Sequence, residues 1–175
     1  MDNVLAHVRA VLSATPARWT ALTEAVAAEL LTQPPAPGEW SAAQCLQHLL
    51  DTERAVFPVR VRCFLAGQDF PAFDPDAQGT VAASALAPSA AAAEFARLRA
   101  ETLRLLDTLT AADLPRRARH GELGPVTLAE LLHEWAGHDL MHTVQAERAL
   151  LQPFIAGSGP WRKYFAAHDL APRAA

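Results

Sequence analysis

His138 and His142 stand four residues apart in the stretch His-Glu-Trp-Ala-Gly-His-Asp-Leu-Met-His, a spacing that sets both imidazoles on one face of a helix. A third histidine, His48, lies in a separate segment that also reads as helical. Three neutral imidazoles can hold a divalent cation and leave a coordination position open, which is the pattern of a catalytic rather than a structural centre. Each histidine taken singly has an ordinary alternative as a core-edge residue hydrogen-bonded to a carbonyl. The residues by themselves leave both readings open.

The elements that would position these side chains are helices. Alanine and leucine dominate, while glycine and β-branched residues are few. The pattern predicts four long helical segments. The first runs from Asp2 to Leu31 with a break expected near Pro16, and the cluster Pro34, Pro35, Pro37, Gly38 stops it. Ser41 caps the second, with Gln44 completing a capping box, and this helix runs towards Ala66 with a kink or break at Pro58. A stretch from Gly67 to Pro88 reads as a long connection, long enough to cross from one end of a bundle to the other. Ser89 is the expected cap of the third helix, which carries Phe95, Leu98, Leu103, Leu105, Leu106 and Leu109. A second loop with Pro115, Gly121, Gly124 and Pro125 precedes the fourth. Thr127 and Glu130 form its capping box, and it is expected to end near Leu151, ahead of Pro153. The fold class is therefore all-α, a four-helix bundle with a long crossover between helices two and three, and residues 1–175 read as a single domain. Residues 152–175, with Phe154, Trp161, Tyr164 and Phe165, form a tail apolar enough to pack on the bundle or on a partner chain.

On a helical wheel, Leu128, Leu131, Leu132, Trp135, Ala146, Ala149 and Leu150 mark the apolar face of the fourth helix. His142 falls in its middle and His138 at its edge, while His133 lies nearly opposite and reads as solvated. Asp139 also turns inward, which is costly unless it is paired. In the second helix Cys45, Leu46, Leu49, Val56 and Phe57 face the core, and His48 sits on the flank beside Thr52.

Composition narrows the partners. A formal net charge of −4 with no dense block of Lys or Arg argues against nucleic acid or an anionic membrane. Two cysteines, Cys45 and Cys63, are read as thiols in a reducing compartment. The N-terminal residues lack a secretory pattern and no apolar run reaches spanning length, so a cytoplasmic protein that acts on a small molecule or another protein is expected.

Pro37-Gly38-Glu39-Trp40-Ser41-Ala42-Ala43-Gln44 leads into Leu46-Gln47-His48-Leu49, and Thr127-Leu128-Ala129-Glu130-Leu131-Leu132 leads into His138-Asp139-Leu140-Met141-His142. With Phe73-Asp74 of the long loop, the order and spacing of these pieces resemble the DinB-like and YfiT-like four-helix bundles over most of the chain, from Trp19 to Leu151. The resemblance implies that His48, His138 and His142 are a metal triad holding zinc or nickel, and often a homodimer. It leaves the reaction open between hydrolysis and thiol-dependent S-transfer with a low-molecular-weight thiol.

For hydrolysis a general base would help, and Asp139, Glu53 and Glu134 are the weak candidates, with a structural role slightly preferred for Asp139. Cys45 is set aside as a small apolar residue. Trp40 is read as a packing anchor rather than a substrate platform, and Arg116-Arg117-Ala118-Arg119 as a solvated loop rather than an anion site. The alternative to an enzyme is a non-catalytic metal-binding or protein-interaction bundle.

Overall fold

The computed structural model describes residues 4–70 and 86–170. Its elements run α1 (Val4–Ala25), α2 (Ala28–Thr32), α3 (Ala42–Ala55), α4 (Phe57–Ala66), α5 (Pro88–Leu106), β1 (Arg117–His120), β2 (Gly124–Thr127), α6 (Leu128–Gly157) and a 3-10 helix (Gly159–Phe165). α1 packs on α5 and α6, and α3 packs on the same two, which is a four-helix bundle with α3 and α4 as one broken member. The expected crossover, with Phe73 and Asp74, falls largely outside the described residues.

Local chemistry explains the boundaries. Ser41 accepts from Gln44 N and returns its own N–H to the Gln44 side chain, and Thr127 and Glu130 do the same for α6. The expected break at Pro58 occurs at Val56 (φ −117°, ψ −78°): proline cannot donate to the carbonyl four residues back, so it opens a new helix near that helix's N-terminus.

Other expectations need correction. Pro16 does not break α1, which continues to Ala25. Pro16 lacks the N–H that would bond the Leu12 carbonyl, and Arg99 Nη1 donates to that carbonyl instead, at 2.9 Å. Ser89 is not a cap: α5 begins at Pro88, whose fixed φ suits the first turn, and no side chain caps it. α6 passes through Pro153 and ends at Gly157, not near Leu151. The loop before α6 contains an unforeseen antiparallel hairpin pairing Arg117 with Thr127 and His120 with Gly124.

The core has two parts. One gathers Leu12, Phe57, Val61, Phe64, Leu132 and Trp135; the other gathers Trp19, Leu46, Leu49, Leu50, Phe95 and Leu150. Arg99 lies between them, its guanidinium over the rings of both Phe95 and Trp135. The C-terminal segment returns to α6, where Arg148 and Gln152 donate to the His168 carbonyl, while Phe154, Trp161 and Tyr164 stay exposed. No described helix is long and apolar enough to cross a membrane.

Candidate metal centre

α3 supplies His48 and α6 supplies His138 and His142, and a ligand atom from each lies within 4.8 Å of the others. His48 Nε2 and His138 Nε2 are 3.0 Å apart. The rings of His138 and His142 meet edge to face at 4.5 Å between centroids, and those of His48 and His142 lie tilted at 4.6 Å. Trp40 stacks on His142 (5.7 Å, 15°) and Phe57 meets His138 edge-on at 5.1 Å, so aromatic walls flank the cluster.

Three imidazoles packed this closely must be neutral. Burial, and secondarily His142, push His48 down to about 4; burial, then His142, His48 and Arg99, push His138 down to about 3. Burial also lowers His142, against the opposing pull of Gln145 and Asp139. His142 Nδ1 lies 2.9 Å from Gln145 Oε1, so Nδ1 carries the proton and the Nε2 lone pair is free. Nδ1 of His48 and of His138 is buried with no protein partner. Neutral rings whose lone pairs converge are the donor set of a borderline-soft divalent cation, and the residues present fit one.

The cluster forms one wall of a cleft of about 420 Å³, also lined by Trp40, Phe57, Arg60, His120, Glu134 and Met141. Trp40 packs against the core as the anchor read from the sequence and is part of the site wall as well. His133 is exposed, as expected. Cys45 packs in the apolar core, its thiol pushed up to about 12 by burial, and takes no part.

The carboxylate candidates separate clearly. Glu53, a weak base candidate from the sequence, is buried, and both it and Asp139 are bound by Arg99: Nε and Nη2 donate to Glu53 Oε2 at 3.0 and 2.9 Å, and Nη1 donates to Asp139 Oδ2 at 2.7 Å. Neither lines the cleft. The inward Asp139 is thus paid for by a cation that sequence reasoning missed. A signal existed: Phe95, Arg99, Thr102 and Leu106 fall on one helical stripe, so Arg99 had to point into the core. Glu134 does line the cleft, at its exposed rim; desolvation raises its carboxyl against the opposing field of Arg60.

The sequence profile of the DinB superfamily matches residues 12–146, most of the chain. This chain belongs to the DinB superfamily. Among solved structures, YfiT from Bacillus subtilis, described as a probable metal-dependent hydrolase with an unusual four-helix bundle topology, superposes with a TM-score of 0.73 at 24% identity. The match covers 86% of this DinB-superfamily chain and 87% of YfiT, and it establishes the shared fold. No curated protein shows a significant match.

Proposed function

We propose that this chain is a divalent-metal-dependent hydrolase of small molecules, with His48, His138 and His142 as ligands and zinc or nickel as the ion. The observation that carries this reading is the convergence of three neutral imidazoles on the wall of an open cleft. YfiT's description as a probable metal-dependent hydrolase supports it. A bound ion would supply Lewis acidity, lowering the pKa of water towards about 7.

The chain's own residues then have distinct tasks. Trp40 and Phe57 restrict water around the histidines, and Gln145 fixes the tautomer of His142. Gln145→Ala should lower zinc affinity by roughly 10–100-fold, read by competition with a chelating dye. Glu134 alone among the three carboxylate candidates faces the cleft, and its raised carboxyl suits a general base. Glu134→Gln should slow hydrolysis by about 10²-fold or more with zinc affinity unchanged; an undiminished rate would remove it from the mechanism.

A second reading is thiol S-transfer. Among the described residues lining the cleft none is a cysteine, so the thiol would have to be a small co-substrate. Metal-loaded protein incubated with ester and amide panels, and in parallel with low-molecular-weight thiols and electrophiles, distinguishes the two. Hydrolysis above the protein-free rate supports the first reading and conjugation the second. Neither would leave a metal-binding or interaction bundle. The exposed Phe154, Trp161 and Tyr164 support a homodimer, and the free thiols of Cys45 and Cys63 a cytoplasmic setting.

A further inference from the structure

The far side of the same cleft carries two hydrogen-bond donors that face each other. Arg60 reaches in from α4, and the β1–β2 hairpin brings His120, whose side chain is buried. The backbone N–H groups of Glu122 and Leu123 both point at His120 Nδ1, at 3.2 and 3.4 Å. Two donors on one nitrogen make it the acceptor, so the proton of the neutral ring sits on Nε2. Arg60 Nη2 lies 3.4 Å from that Nε2. Guanidinium has no acceptor, so this contact sets donor against donor rather than forming a hydrogen bond. An acceptor placed between them would satisfy both.

Arg60 is held ready for such a ligand. Its guanidinium stacks on Phe70 at 5.0 Å, and the carboxylate that acts on it, Glu134, does so through its field without forming an ion pair among the described residues. Phe70 in turn meets the His120 ring edge-on at 5.7 Å, so one aromatic side chain orients both donors. Glu134 and Glu122 also line the cleft, so the field there accommodates a single negative charge far better than a dianion. A planar fork beside one N–H fits a carboxylate.

The geometry points to Arg60 and His120 as the subsite that binds the carboxylate of a monoanionic substrate whose apolar body lies against Phe57 and Met141, with its reacting group towards the histidines. This assignment rests on the proposed metal-dependent reading and names the substrate class for it. It also gives the hairpin a task, since His120 enters the cleft only because β1 and β2 pair.

The test uses metal-free, chelator-treated protein, so that no carboxylate is captured by an ion. Binding of 4-phenylbutyrate, of its uncharged amide and of inorganic phosphate is measured by calorimetry and by ligand-observed NMR. The carboxylate should bind at least roughly tenfold tighter than the amide and tighter than phosphate. Arg60→Met should weaken it by about tenfold or more, and His120→Asn, which keeps an acceptor for the turn but removes the Nε2 donor, by several-fold. The assignment is overturned if the amide or phosphate binds as tightly, if 4-phenylbutyrate does not bind, or if both folded variants bind it like the wild type. Zinc titration of the same samples is read separately: absence of zinc binding in the wild type counts against the metal-dependent reading, whereas zinc binding without carboxylate binding counts against this subsite alone.

Discussion

Arg99→Leu should lower the unfolding free energy by about 3–5 kcal/mol, the cost of leaving a buried ionic network without its central partner. Arg99 and both carboxylates are 1% exposed, and the guanidinium also satisfies the Leu12 carbonyl that Pro16 leaves unbonded. Its removal strands two buried negative charges and one backbone acceptor at once. Against the roughly 5–15 kcal/mol that holds a domain together, this is a large fraction, and many molecules would be unfolded at modest denaturant concentrations. Adding Glu53→Gln and Asp139→Asn to Arg99→Leu should restore part of the loss, because neutral amides cost less to bury than unpaired carboxylates. Urea unfolding of the single and triple variants measures both. A loss below about 1 kcal/mol for Arg99→Leu would show that water reaches these carboxylates, contrary to their burial.

The second large effect concerns the histidines. His138→Ala should abolish the zinc-dependent rise in melting temperature while changing the metal-free protein little. Binding to the folded state alone stabilises by about 2.7 kcal/mol when free ion exceeds its Kd a hundredfold. Loss of one of three nitrogen donors should weaken binding well beyond the roughly 10–100-fold expected for an outer hydrogen-bond partner. The apo effect is the smaller one because His138 is neutral and its Nδ1 has no protein partner; what the metal-free protein loses is the 3.0 Å contact with His48 Nε2 and the packing on Phe57. Thermal melts with and without zinc test this. A zinc-dependent rise that persists undiminished in the variant would place the ion elsewhere.

Much of the scaffold was legible because it follows local rules. Both capping boxes form as the side chains at Ser41, Gln44, Thr127 and Glu130 require, and the apolar faces of α3 and α6 are buried residue for residue. The wheel set His48, His138 and His142 on inward or flanking positions but left their role open, and it was the resemblance to the DinB-like bundles that implied they meet at one point. What local rules cannot supply is pairing at a distance. Asp139 announced that it needed a partner, but Arg99 is 40 residues away, and its place on the stripe of Phe95, Thr102 and Leu106 says that it points inward without saying which carboxylates it meets. The hairpin was missed because its four-residue strands, one containing Pro125, carry too little alternation to stand out from a loop. With it went His120, and with His120 the far wall of the cleft. Pro16 and Pro153 misled in the other direction: interior prolines break helices in isolation, whereas packing supplies Arg99 to the carbonyl that Pro16 frees.

His48, His138 and His142 together are expected to bind one divalent ion. Chelator-stripped wild-type protein titrated with zinc and with nickel near pH 7, with the bound metal quantified after gel filtration, tests it most directly. About one tightly held ion per chain is expected, lost when the three histidines are replaced by alanine in a protein that still shows a helical circular dichroism spectrum. No retained ion in the wild type, or equal retention by the triple variant, would contradict it.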